Sequence, residues 1–142
     1  MQCVDVIPGQ GLLTLANAGH PYPVLYSASC RSCDRLPVRG ALLHAKEPDD
    51  SGARQHRLRH ADLSDGDVIV LVSDGMMDCA VDDDADGYRF MEVITANAQH
   101  TAKRICASIV SHWHRRRHGA APSDDVTVIV IKVGANREGS LQ

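Results

Sequence analysis

Aromatic residues are scarce in this chain. Its 142 residues include one Trp, three Tyr and one Phe, so Val, Ile, Leu and Ala must build most of any core. Long apolar runs are absent as well. None approaches the ~20 residues that a bilayer-spanning helix needs. An excess of basic charge is also missing: Lys plus Arg number 15 against 18 for Asp plus Glu, a net charge of −3. That excludes a nucleic-acid binder acting through its overall field. The opening Met1-Gln2-Cys3-Val4-Asp5 lacks the basic and apolar regions of a secretory signal. Five cysteines, an odd number, do not make a disulfide framework and read as reduced thiols. What is present is ordinary globular composition, 44% hydrophobic and 23% charged, at a length that suits one domain. The expected setting is cytoplasmic, with neither membrane nor nucleic acid as partner.

The first third reads as short strands between turn signals. Cys3 to Ile7 ends at Pro8-Gly9-Gln10-Gly11, and Leu12 to Ala16 follows at hairpin distance. Asn17-Ala18-Gly19-His20-Pro21 breaks that run, and Val24-Leu25-Tyr26 resumes it. The small, polar stretch from Ser27 to Asp34 reads as a hairpin connection, and Lys46 to Arg54 as a loop. Arg57 to Leu63 suits a half-exposed strand ending at Ser64-Asp65-Gly66-Asp67. Val68 to Val72 is apolar without alternation, the pattern of a strand covered on both faces, and Val126 to Val133 is expected to be a second central strand. Thr101 is placed to N-cap a helix whose Ala102, Ile105, Cys106, Ile109, Val110 and Trp113 recur at helical spacing. Arg115-Arg116-Arg117-His118 and then Gly119 mark its end. A weaker helix is expected over Phe90 to Ala98, and a frayed tail over 134–142.

Two segments carry candidate chemistry: Val72-Ser73-Asp74-Gly75 and Ser123-Asp124-Asp125-Val126-Thr127. Asp74 follows one strongly apolar run, and Asp124 precedes the other. If the two strands are antiparallel neighbours, the carboxylates meet at one rim of a sheet. Such hard oxygen donors suit Mg²⁺ or Mn²⁺. Asp and Gly also shape turns with no ligand at all, and spacing alone leaves both readings open.

Four segments, in order, resemble the metal-dependent protein phosphatases (the PPM family) in their bacterial SpoIIE-like branch. Leu15-Ala16-Asn17-Ala18-Gly19-His20-Pro21-Tyr22-Pro23-Val24-Leu25 resembles its "NAGH-P-P" strand–turn–strand. Gly66-Asp67-Val68 through Ser73-Asp74-Gly75-Met76-Met77-Asp78 resembles its "GD…TDG-x-x-E" segment, with Ser for Thr and Asp for Glu. Gly87-Tyr88-Arg89-Phe90 resembles its "G-x-x-F-G" element, with Met91 at the last Gly. Asp124-Asp125-Val126-Thr127-Val128 resembles its closing "DD-x-T" strand.

The resemblance implies an α+β fold, an αββα four-layer sandwich occupying residues 1–133. It implies serine/threonine protein phosphatase activity through a binuclear Mn²⁺ or Mg²⁺ site, where a metal-activated water attacks phosphorus in line. By motif position Asp74 and Asp124 are the metal ligands and catalytic carboxylates, and Asp125 shapes the loop. His20 stands where eukaryotic members of the wider family carry an Asp, which argues against a third metal at that point. The remaining acidic ligands of the family come from strands and a "D-x-x-GHG" turn near the start of the domain, and this sequence has neither. The expectation is therefore the carboxyl-terminal part of such a domain, incomplete at its amino-terminal end, with half of a binuclear site. The implied partner is a phosphorylated regulatory protein, by analogy an anti-sigma-factor antagonist, and an exposed sheet edge invites self-association. The alternative is a truncated or degenerate module that binds a partner protein without hydrolysing anything.

Other patterns compete less well. Asp82, Asp84, Asp86 and Gly87 imitate the start of an EF-hand loop, but its twelfth position is Val93 rather than Glu. Cys30-Arg31-Ser32-Cys33 is a lone CxxC that needs Cys3 or His44 to complete a zinc site. His114 and His118 have helical ligand spacing beside three arginines that repel a cation.

Overall fold

A computed structural model describes residues 1–7, 10–38, 57–77, 87–117 and 124–134. Seven strands and two helices follow in the order β1 (Gln2–Ile7), β2 (Leu12–Asn17), β3 (Val24–Ser27), β4 (Ser32–Arg35), β5 (Arg59–Asp62), β6 (Val68–Val72), α1 (Phe90–Asn97), α2 (Ala102–Arg116) and β7 (Val128–Lys132). A 3-10 turn over Asp74–Met76 follows β6.

All strand pairs are antiparallel. One sheet has the order β1-β2-β5 and the other β4-β3-β6-β7. In β2 alternation does the sorting: Leu13, Leu15 and Asn17 are buried, and the residues between them are half-exposed. Leu13 and Leu15 pack across the gap between the sheets against Ile69, Leu36 and Val38, joined by Leu25, Leu71 and Ile131. The opposite face of the second sheet presents Val24, Tyr26, Val68, Val70 and Val72 to Phe90 and Ile94 of α1 and to Ile105, Ile109 and Trp113 of α2. β6 thus buries both of its faces, as its unbroken apolar run requires. Ile105 and Ile109 are fully buried, so truncating either to Ala removes contacts worth ~2–5 kcal/mol.

The described residues therefore form three layers, sheet, sheet and helices, of the four expected, and the α+β class holds. Two elements differ from the sequence reading. β4 begins inside the stretch expected as a hairpin connection, which leaves only a short turn between Ser27 and Ser32. β7 is an edge strand of the described sheet rather than a central one, and Ile129 on it is 48% exposed. The expected Gly119 cap, the Lys46–Arg54 loop, Asp82, Asp84 and Asp86, His44 and His118 lie outside the described residues, as does 135–142 of the expected tail.

Candidate metal and phosphoryl site

β6 and β7 are antiparallel neighbours with Val72 opposite Val128. That register brings the residues after β6 and those before β7 to one rim, so the structure does bring Asp74 and Asp124 to the same end of the sheet. Ser73 stitches the rim together. Its N–H donates to the Thr127 carbonyl at 3.0 Å. Its hydroxyl donates to the Asp125 carbonyl at 3.0 Å and accepts from the Thr127 N–H at 2.8 Å. With its oxygen engaged there, Ser73 makes no side-chain cap on the 3-10 turn it precedes.

Gly75 makes the close approach possible. A Cβ at this position would stand 2.5 Å from the Asp125 carbonyl oxygen and 3.1 Å from that of Asp124. The backbone after Asp74 thus lies directly on the Asp124 and Asp125 carbonyls, a reason for Gly in the motif that concerns packing.

Asp74, Asp124 and Asp125 are exposed. One oxygen of Asp74 accepts from the Gly75 N–H at 3.2 Å, and one oxygen of Asp124 accepts from the Asp125 N–H at 2.7 Å. The second oxygen of each has no hydrogen-bond partner among the described residues. No cation neutralises either carboxylate there. Two half-engaged, solvent-facing carboxylates fit a hard divalent ion as ligands. No group of three or more His, Cys, Asp or Glu side chains among the described residues could hold a metal, so they fit as part of a ligand set and not as a closed cage. The same observation leaves Cys3, Cys30 and Cys33 without a zinc-binding arrangement among the described residues.

Beside the rim, between the ends of the two sheets, lies a cleft of about 160 Å³ lined by Gln2, His20, Leu71, Ser73, Thr127 and Ile129. Sequence reasoning placed His20 in a motif but did not bring it to this cleft. Its position is set by Asn17, which is 4% exposed. The Asn17 amide donates to the His20 carbonyl at 2.8 Å and its oxygen accepts the His20 N–H at 3.0 Å. Gly19 completes the turn at φ 68°. Asn17 and Gly19 are turn-forming residues that the sequence does show, but the bond from Asn17 to the backbone three residues on is not readable from it.

Asp67 of the "GD" pair takes a different part. It is 4% exposed, and its two oxygens accept the Ala28 and Ser64 N–H groups, each at 2.8 Å. It ties the β3–β4 turn to the start of β6, remote from the rim in the register. Tyr88, from the "G-x-x-F" element, clamps the other side of the motif turn. Its hydroxyl accepts the Tyr22 N–H at 2.7 Å and donates to the Tyr22 carbonyl at 3.2 Å.

Comparison with solved structures defines the class first: the fold is that of PP2C-type phosphatase domains. The phosphatase domain of the cell fate determinant SpoIIE from Bacillus subtilis, presoaked with manganese, matches with a TM-score of 0.75 at 13% identity, over 99% of this chain and 59% of that one. The RsbU and RsbW domains of Rv1364c from Mycobacterium tuberculosis match at 0.67 and 24% identity, over 89% of this chain and 33% of that one. The catalytic domain of the serine/threonine phosphatase PstP, in complex with two manganese ions, matches at 0.56 and 16% identity, over 92% and 56%. The model of the Stage II sporulation protein E (SpoIIE) family matches residues 1–134, and the chain belongs to that family. No curated protein sequence matches it significantly. The chain spans 59% of the Bacillus subtilis domain.

Proposed function

We propose that this chain is the part of a metal-dependent serine/threonine protein phosphatase domain that supplies Asp74 and Asp124 as metal ligands. The observation that carries the reading is the rim itself, where Gly75 packs on the Asp124 and Asp125 carbonyls and two carboxylates, with no cation beside them among the described residues, stand at the same end of the sheet. Family membership and the manganese-bound relatives support it. Manganese or magnesium, when bound, supplies an acidified water and neutralises charge on phosphoryl oxygens. Asp74 and Asp124 hold the ion, Ser73 and Gly75 fix the separation of the two loops, and the Asn17-clamped turn presents His20 to the cleft in which a phosphoryl group would sit. The substrate in this proposal is a phosphoserine or phosphothreonine regulatory protein, with an anti-sigma-factor antagonist as the specific candidate, met in the cytoplasm. Among the described residues no helix is long and apolar enough to cross a membrane.

Hydrolysis of a phosphoserine peptide in the presence of Mn²⁺, by a protein that joins this chain to the remaining ligand-bearing part of such a domain, tests it. Asp74→Ala and Asp124→Ala are each expected to lower the rate ~10²-fold or more, since each removes a ligand of the charge-stabilising ion. Activity that survives both substitutions overturns the assignment. A second reading, a partner-binding module without hydrolysis, is favoured by the lack of a third metal-binding group among the described residues. It predicts no Mn²⁺-dependent hydrolysis even by that longer protein. Self-association through the β7 edge belongs to either reading, and sedimentation at several concentrations reads it directly.

A further inference from the structure

We propose that the groove between α1 and α2 is a docking site for an acidic helical segment of a partner protein. It lies on the outer surface of the helical layer, is independent of the rim, and does not rest on phosphatase activity. The groove is shallow and open, with a volume of about 570 Å³; Glu92, Val93 and Ala96 form its α1 wall, and Arg104, Ala107, Ser111 and Arg115 run along its α2 side.

The spacing on α2 supplies the geometry. Arg104 and Arg115 are eleven residues apart, which at ~100° and ~1.5 Å per residue returns to nearly the same face about 16 Å further along. Ala107 and Ser111 lie between them on that face. The floor is therefore low, and a third helix can approach to the ~8–10 Å of ordinary helix packing. The groove is also preformed: Ser108 on α2 donates to the Asn97 side chain on α1 at 3.3 Å, and Asn97 is itself anchored to the Val93 carbonyl at 2.9 Å.

Charge selects the occupant. From Ala102 to Arg117 the chain carries Lys103, Arg104, Arg115, Arg116 and Arg117 and no Asp or Glu, within a molecule whose net charge is −3. Arg104 and Arg115 are exposed and make no ion pair among the described residues. They bracket the groove as two cationic posts, which matches a helix carrying two carboxylates eleven residues apart. A nucleic-acid strand fits less well. Glu92 on the α1 wall interrupts the positive track that a continuous phosphate chain needs, whereas two spaced carboxylates can be set clear of it. No Phe, Tyr or Trp ring lines the groove for bases to stack on.

Fluorescence anisotropy with the 142-residue chain tests this. The first probe is a labelled, 18-residue Ala/Gln-rich helical peptide with two Glu eleven residues apart. The second has the same composition with the two Glu adjacent, and the third is a 12-nucleotide single-stranded DNA. The spaced peptide is expected to bind more tightly than the other two. Arg104→Glu and Arg115→Glu should each weaken it roughly tenfold, and Arg104→Gln and Arg115→Gln by less. Lys103→Glu, an equal charge change on the same helix but outside the groove, should leave binding unchanged. Circular dichroism verifies that the variants remain folded. Equal binding of the two peptides, tighter binding of the DNA, a Lys103→Glu effect as large as that of Arg104→Glu, or no binding of the spaced peptide overturns the proposal.

Discussion

At the scale of single residues, the rim depends on an atom that is missing. Gly75→Ala would place a methyl group 2.5 Å from the Asp125 carbonyl oxygen, a backbone atom that Ser73 already binds. Neither side can yield by rotating a side chain, so the loops must separate. The expected cost is ~1–3 kcal/mol, read as a lower urea midpoint, and manganese affinity should fall with it because Asp74 and Asp124 move apart. An unchanged midpoint would show that the contact relaxes freely. The placement of Asp74 and Asp124 at one rim was legible in the sequence, since one follows a strongly apolar run and the other precedes the next. The sequence did not reveal why Gly75 is there, because that reason is a contact across fifty residues. Cys33 illustrates the same limit. Expected in a loop, it lies on β4 against α1, where Thr95 donates to its sulfur at 3.3 Å. Burial pushes its thiol above the ordinary range and Asp34 adds to this, with the Thr95 bond acting in the opposite sense. The folded chain therefore keeps this proton when the unfolded chain has begun to lose it. The contribution is full below the ordinary thiol range and is lost as pH rises through that range toward the raised value. Between about pH 8 and 10 the urea midpoint of the wild type should fall more steeply than that of Cys33→Ala. Exposed Cys3 and Cys30 should also be alkylated ahead of Cys33 at pH 8; the reverse order would contradict the burial argument.

At the scale of elements, β7 reaches across the helical layer through its last residue. The Lys132 ammonium donates to the Ala98 carbonyl at 2.7 Å and the His100 carbonyl at 2.8 Å. These carbonyls follow the end of α1, where backbone acceptors go unpaired and the helix dipole favours a cation. In the sequence Lys132 reads only as the residue that ends an apolar run. Lys132→Met keeps the packing of the stem and removes the charge. It should cost ~1–3 kcal/mol and speed amide exchange in the last turn of α1 more than in α2. Uniform acceleration across both helices would mean that Lys132 supports the layer as a whole and not this terminus. The elements most legible in the sequence were those with a strong period. β6 and α2 bury the faces their patterns predicted, and Thr101 caps α2 by accepting the Arg104 N–H at 3.4 Å. β4 was illegible because its Ser-Cys-Asp-Arg has no apolar alternation; it is a strand only because Tyr26 and its neighbours on β3 offer it an edge. β7 misled in the other direction. Its apolar residues face the helices and the other sheet on alternate sides, so composition suggested a central strand although the described sheet ends there.

At the scale of the whole molecule, two facts combine. The inter-sheet core and the sheet–helix core are both closed by residues of this chain, yet the outer face of the β1-β2-β5 sheet presents Cys3, Asp5, Ile7, His60 and Asp62 as exposed residues with no helix over them among those described. The fold and the proposed metal site are thus separable here. The fold needs only the contacts between its layers, whereas a metal cage needs several ligands converging on one point. Asp74 and Asp124 supply charge and two unengaged oxygens, and among the described residues no third metal-binding group joins them. Open oxygen sites with so few protein ligands hold divalent ions at Kd values on the order of 10⁻⁴ to 10⁻³ M. Titration calorimetry of the 142-residue chain with Mn²⁺ should therefore find weak binding that Asp74→Asn or Asp124→Asn abolishes, with thermal stability almost unchanged by the metal, because a ligand stabilises only in proportion to its occupancy. Submicromolar binding of two ions would place further ligands in this chain and favour autonomous hydrolysis. Weak binding that survives both substitutions would instead place the metal elsewhere and remove the rim from the mechanism.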